Sequence, residues 1–589
     1  MTRGQCLCLF TRSTGLVARL QCQESHEARP LPIVSAVFSI LLVFLTQGFA
    51  QAAGPANPSA PETVLKTIRP KAIRAHMQFL SDSLLAGRDP GTPGYDIAAG
   101  YVASELETIG LQPGGLNGSW YQAVPFRKAV VDVSQSSLML VQNGKEQKLK
   151  DGVDYVLEGD VLREDVSVEA PLTFVGFGVT APELNYDDYA GLDVRGKIVI
   201  TLGNAPARFS STQRAYYSDS VVKQKNAVAH GAVGVFSILT PDDQKEEPWE
   251  WLAPQYQVGD TNWLEENQTP HNAVAELRVR GPFSPHGAEI LFAGSPRTLG
   301  QVFKKADSSE AQGFDLPTKA RVRVVSRQHD FHSPNIVGVL PGSDPKLRDQ
   351  YVVFSAHLDH LGICPPADGD KVCHGAYDNA SGVATVLELA RAFASLPQAP
   401  RRSIVFLFVT GEEAGLLGSD YFANYPTVPK SAIVANVNID EAPGMLYPLK
   451  DIVVLGVEHS SLDRDVNWAA QQMGYQVSPD PMPEEDLFIR SDQYSFVLQG
   501  IPSVNPTDGM QSTDPRINGL EVSKKWMTTI YHTPRDNMSQ AFDYQSAARA
   551  AGFSFLLGYK IAGDDDPPKW NRNDFFGDKF GAEGNVGGK

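Results

Sequence analysis

The arrangement of apolar and polar positions changes character along this chain. Val64–Leu111 reads as helical, ending at Gly110-Leu111, with Gly91-Thr92-Pro93-Gly94 interrupting it as a loop. From about Val130 to Val325, short β-type runs separated by turns take over. Examples are Leu172–Gly178 and Lys197–Leu202, then a helical stretch, Val221–His230, leading to Gly234–Ile238. Residues 335–563 return to strand–helix alternation. Tyr351–Ser355, Ser403–Val409, Ala432–Val437 and Asp451–Leu455 read as strands, and Val383–Leu396 and Leu462–Met473 as helices. That alternation predicts an α/β fold with a largely buried sheet. The acidic, Gly-rich stretch after Ala562 reads as a surface-bound or mobile tail.

A chain of 589 residues exceeds one ordinary core, so more than one domain is expected. Hydrophobic residues at 42% and charged residues at 20% belong to a folded globular protein. The 68 acidic against 51 basic residues leave a net charge of −17, which disfavours a nucleic-acid partner.

Near the N-terminus, Ile33–Leu45 gives an apolar run of about 13 residues, short for a spanning helix but suited to a secretory h-region. Arg29 precedes it and Ala50-Gln51-Ala52 follows, which predicts cleavage after Ala52 and an exported protein, periplasmic or extracellular, with no stable membrane span. An uncleaved anchor is the competing reading, and an overlong start accounts for residues 1–32. Of five cysteines, only Cys364 and Cys373 then remain, flanking a turn-rich loop. In an oxidising compartment they predict a loop disulfide; two free thiols are the alternative.

Metal-friendly residue types cluster between residues 357 and 440: His357 and Asp359, Asp378, Glu412-Glu413, and Asp440, with His532 much later. Carboxylates neutralise and bridge hard divalent charge, imidazole suits zinc, and a spare Glu can take a proton. Singly each has an ordinary structural explanation: an N-cap for Asp378, a solvated pair for Glu412-Glu413. Their joint placement argues otherwise. His357, Glu412-Glu413 and Asp440 each follow a predicted strand and Asp378 enters a predicted helix, which is where ligand sites form in open α/β sheets. His360, His374 and His459 lack that support.

Four segments, Ser355–His360, Gly375–Gly382, Thr410–Leu416 and Asn438–Asp440, resemble the core motifs of the co-catalytic zinc exopeptidases, the family of secreted bacterial aminopeptidases and glutamate carboxypeptidase (metallopeptidase clan MH). Phe488–Asp492, Gly500-Ile501-Pro502 and His532-Thr533-x-x-Asp536 resemble its later motifs, and Leu85–Arg88 an early one. The resemblance implies a mixed sheet flanked by helices, built from residues 64–128 and 328–563. Residues 130–325 resemble an inserted, mainly-β protease-associated domain with a lid or access role. Residues 1–52 would be the signal region and 564–589 the tail.

The same resemblance implies two zinc ions: one on His357 and Asp440, the other on Glu413 and His532, with Asp378 bridging. Glu412 would be the general base, and Asp359 would orient the His357 imidazole. Arg490 and Asp492 are candidates for substrate contact. The sequence departs from the family at Gln493, where many relatives have His, and Glu441 beside Asp440 is an alternative ligand. Substrates would be peptides trimmed from the N-terminus. A glutamate-carboxypeptidase-like enzyme is the nearest rival, but Val504–Asp514 lacks the Arg residues that would recognise substrate carboxylates. A glutaminyl cyclase and a non-catalytic receptor-like protein are more distant alternatives. Oligomeric state is not legible.

Overall fold

Alternate residues of two adjacent strands enter different cores. Val352, Phe354 and Ala356 of Tyr351–His357, with Ile404, Phe406 and Phe408 of Ser403–Val409, face one way into the largest apolar cluster. Val353, Val405, Leu407 and Val409 face the other way, against Phe422 and Phe496. Both faces are therefore buried, as an apolar run without polar alternation requires. Each fully buried side chain of this size contributes about 1.5–3 kcal/mol.

The structure is a computed structural model and describes residues 60–582, apart from 242, 247 and 309–311. The expected export segment lies outside the described residues. Among the described residues no helix is long and apolar enough to cross a membrane.

The main sheet runs in the order Val279–Phe283, Gly234–Ile238, Ile198–Leu202, Asp165–Phe174, Phe314–Leu340, Ser403–Val409, Tyr351–His357, Ile433–Asn438, Ser503–Asp508, Asp451–Leu455 and Gln476–Ser478. Tyr351–His357 is parallel to both its neighbours, and Ile433–Asn438 is parallel to Ser503–Asp508. Helices Pro70–Leu80, Pro93–Ile109, Gly382–Ala394, Leu462–Met473 and Tyr544–Gly563 cover one face, contributing buried residues such as Met77, Leu387 and Phe555. Leu417–Asn424 and Gln493–Leu498 supply Phe422 and Phe496 to the other. Within the predicted loop at 91–94, Thr92 caps Pro93–Ile109 by accepting from the Tyr95 amide, and Pro93 opens the helix, where a missing N–H costs nothing.

Two features differ from the sequence reading. The expected boundary at 325–328 lies inside one strand, Phe314–Leu340. Its first part pairs with Asp165–Phe174, its middle with Tyr121–Val131, and its end with Ser403–Val409. The alternation through Arg321-Val322-Arg323-Val324 is followed by polar residues that read as a break, yet main-chain pairing continues through them. The stretch after Ala562 is also anchored. Trp570 is buried and its indole N–H donates to Gly500 O at 2.9 Å, while buried Phe576 packs with Tyr494 and Val497. Two aromatic anchors outweigh a composition that looks mobile.

Candidate metal centre

The parallel strands deliver their side chains to one edge. Tyr351–His357 ends on His357 itself; Ser403–Val409 runs into Glu412-Glu413; Ile433–Asn438 is followed two residues on by Asp440. Asp378 lies in the tight segment leading into Gly382–Ala394, and its peptide bond to Asn379 is cis. Gly382 permits the close approach that brings Asp378 to Asp440: a Cβ there would lie 2.3 Å from Ile439 O.

Asp378 sits between the two histidines. Its Oδ1 is 3.2 Å from His357 Nε2 and its Oδ2 is 3.2 Å from His532 Nε2. His357 Nε2 is also 3.0 Å from Asp440 Oδ1, and His532 Nε2 is 3.1 Å from Glu413 Oε2. His357, Asp378 and Glu413 each present a donor atom within 4.8 Å of the others. The five residues thus form two groups, each an imidazole and a carboxylate, joined by a shared aspartate.

Burial opposes charge on both imidazoles, but Asp440 and Glu412 near His357 outweigh it and hold that ring well above its usual range. For His532, Glu413 and Asp378 likewise overcome burial and set the ring at about 10. In return, His532 brings Glu413 down to about 2 against its own burial. His532 Nε2 is buried and lies beside two carboxylate oxygens without a hydrogen bond to either. Such a donor set suits a divalent cation, whose binding displaces the imidazole protons. Glu412 differs from its neighbour: burial, reinforced by Asp440 and Glu413, pushes it well above the usual carboxylate range.

The surrounding hydrogen bonds fix the loops. Ser491 Oγ donates to Asp440 Oδ2 at 2.5 Å and itself accepts from Asn438 Nδ2 at 2.7 Å. Asp536 accepts from the Tyr377 and Asp378 amides at 2.8 and 3.0 Å. Arg88 is fully buried and donates to Leu358 O at 2.8 Å, His374 O at 2.7 Å, Gly375 O at 3.1 Å and Leu80 O. One planar fork therefore ties the His357 loop to the Asp378 loop. Cys364 and Cys373 form a disulfide whose loop borders the cavity beside Glu413.

Two expectations are corrected, and one is met through a different atom. Asp359 meets His357 Nδ1 through its main-chain carbonyl, at 3.3 Å, while its carboxylate accepts from the Glu412 and Glu413 amides at 3.2 and 3.3 Å. It orients the glutamate loop because both amides point at it. Asp492 is completely buried and cannot touch a substrate. His360 belongs to the cluster after all, with Nδ1 2.5 Å from Glu413 Oε1. Arg490 borders the cavity at Glu412 and Asp440, and its guanidinium lies 3.7 Å from Glu485. Gln493 is buried, accepting from Asn438 and donating to Phe488 O. Glu441 lines that cavity, and no contact brings it to either histidine.

Residues 335–555 match the model of peptidase family M28. The likeness is confined to this segment, less than half of the chain. The M28 segment contains all five converging residues and Glu412, whereas Arg88 comes from outside it. Among curated proteins, aminopeptidase NAALADL1 of Rattus norvegicus is 27% identical over 331 residues, 48% of this chain and 41% of the rat protein. The chain thus spans about two fifths of that relative's length. Leucine aminopeptidase 1 of Trichophyton equinum is 38% identical over 113 residues, 18% of this chain and 29% of the fungal one. Among solved structures, an aminopeptidase from Aneurinibacillus sp. strain AM-1 aligns with a TM-score of 0.52 at 18% identity, covering 86% of this chain and 97% of that one. The mixed sheet flanked by helices is the zinc-exopeptidase fold.

Proposed function

We propose that the chain is an exported aminopeptidase that removes N-terminal residues from peptides with two zinc ions. The observation that carries this reading is Asp378 lying 3.2 Å from both His357 and His532, each backed by its own carboxylate. His357 and Asp440 would hold one ion, Glu413 and His532 the other, and Asp378 would bridge. Bound there, the metals supply Lewis acidity and bring water into the range where it is a nucleophile at neutral pH.

The chain's own residues do the rest. Glu412 borders the cavity beside Asp378 and Asp440, placed to accept a proton from the attacking water and deliver it to the leaving amine. Asp359 holds the Glu412 and Glu413 amides, so the base and its neighbouring ligand move as one unit. Arg88 and Asp536 fix the loops carrying His357 and Asp378.

The inserted residues 130–325 act as a protease-associated domain at the entrance. Trp251 of this block borders a cavity of about 570 Å³ that opens on Glu413, and its ring centroid is 6.4 Å from that of His532. Export is supported by the Ile33–Leu45 run and by a disulfide suited to an oxidising compartment.

The test is reconstitution. Metal-stripped protein should release nothing from an aminoacyl anilide, and activity should return as zinc is added, saturating near two equivalents. Activity that persists after stripping would refute the reading.

A further inference from the structure

The metal centre opens on two unlike spaces. On the Glu413 side lies the large cavity of about 570 Å³, bordered by Phe126, Phe331 and Trp251. On the Asp440 side lies a small cavity of about 90 Å³, which shares Glu441, Leu487, Thr507 and Met527 with an adjoining one of about 80 Å³. An enzyme that trims chain ends needs a confined space for the terminal side chain and a roomier one for the remaining chain. The small paired cavities suit the first purpose and the large one the second.

Their lining is uneven. Leu446, Met482, Met510 and Met527 line the second cavity, together with Asp480 and Asp508. Asp508 has partners, accepting from the Gly444 amide at 2.6 Å and from the Tyr377 hydroxyl at 3.4 Å. Glu441 is half-buried, and its Oε1 is enclosed with no hydrogen bond. Among the described residues bordering the two cavities the one base is Arg490, which lies beside Glu485.

The backbone forces Glu441 into this position. Its φ is +56°, a left-handed conformation that a side-chain-bearing residue adopts only when its surroundings impose it. The Glu441 amide donates to Asn379 Oδ1 at 3.1 Å and the next amide to Ser381 Oγ at 2.9 Å, so the turn cannot relax. A carboxyl oxygen enclosed without a partner in a methionine- and leucine-lined space is satisfied when a cationic donor joins it.

We propose that Glu441 makes this pocket selective for a terminal residue with a long basic side chain, lysine or arginine. The methylene stem would lie along Leu446 and the methionines, and the ammonium or guanidinium would meet the Glu441 carboxylate. A norleucine or leucine side chain would fill the same walls and leave the enclosed Glu441 Oε1 unpaired, which is the stronger kind of discrimination. This inference rests on the aminopeptidase reading and assigns its substrate class.

The test compares kcat/KM for lysyl, arginyl, norleucyl and leucyl anilides with zinc-loaded, full-length protein and its Glu441→Gln variant. Wild type should prefer lysine and arginine to norleucine by at least ~10-fold, and the variant should bring that ratio close to unity. Free lysine should also inhibit wild type more strongly than free norleucine, a measurement that stands even where the variant does not fold. Equal or better turnover of norleucine by wild type overturns the proposal. So does a variant that loses activity on all four substrates with the ratio unchanged, because Glu441 would then serve the α-ammonium or the metals. If no anilide or free peptide loses its N-terminal residue, the aminopeptidase reading itself fails and takes the subsite with it. Release without basic preference fails the subsite alone.

Discussion

Asp378 brings its Oδ2 to within 3.2 Å of His532 Nε2, although 154 positions separate them in a chain whose other ligand candidates cluster between 357 and 440. The same carboxylate faces His357 through Oδ1 at 3.2 Å. A side chain shared in this way can hold two cations at a fixed spacing, so its loss should affect both. Asp378→Ala should lower bound zinc from about two equivalents to well below one, measured by mass spectrometry of the metal content. Full occupancy in that variant would remove the bridge.

Glu412 makes the complementary case, since it borders the cavity but is not among the five converging residues. Glu412→Gln keeps the shape and removes the proton acceptor. Its kcat should fall about 10²–10⁴-fold with zinc content retained. A variant that turned over normally would exclude Glu412 as the base.

Arg88 carries a structural prediction. It donates to four main-chain carbonyls from a fully buried position, and burial lowers its guanidinium only to about 10, so it remains charged. Arg88→Met fills most of the volume but leaves those carbonyls unpaired, and should cost about 3 kcal/mol or more in denaturant unfolding. Arg88→Lys should recover only part of that, because one ammonium cannot reproduce a planar fork. A neutral effect would show that the loops hold themselves.

These residues also show what a sequence can and cannot convey. His357, Glu412-Glu413 and Asp440 were legible because each follows a strand whose apolar run announces it, and Asp378 because it opens a helix. Strand ends of a parallel sheet lie together by construction. Asp359 was legible as a site residue but not in its role, since which atom meets His357 depends on a turn. His360 and Arg88 carried no periodic signal, because their partners are a glutamate 53 positions away and carbonyls up to 287 positions away. Asp492 was misplaced for the same reason: motif position does not reveal which side of a loop is buried. Residues 564–582 read as surface-bound or mobile by composition, and Trp570 and Phe576 anchor them.

Acid–base behaviour away from the metal centre gives a prediction of its own. Burial, with Asp564 nearby, raises Asp465 to about 6. An unfolded aspartate titrates near ~3.9, so the folded state binds this proton more tightly. Its favourable contribution is full below about pH 4 and is lost as pH rises through about 6. Asp465→Asn should therefore be more stable than wild type at pH 8, by about 1 kcal/mol after allowance for hydration of the group, with the difference shrinking below pH 4. Denaturant melts at the two pH values check it; an identical difference at both would contradict the cause given.

Trp251 would link the proposed inserted block to catalysis. It borders the larger cavity and approaches His532, so Trp251→Ala should raise KM for peptides about 10-fold while leaving kcat nearly intact. A fall in kcat with KM unchanged would instead place it in the chemical step.

The central claim, metal-dependent removal of residues from the N-terminus, is tested most directly by following a mixture of free peptides and their N-acetylated twins by mass spectrometry, with and without a zinc chelator. The account predicts a ladder of stepwise losses from the N-terminus of the free peptides alone, stopped by the chelator and restored by zinc. Trimming from the C-terminus, cleavage of the acetylated twins, or a ladder indifferent to the chelator would contradict it.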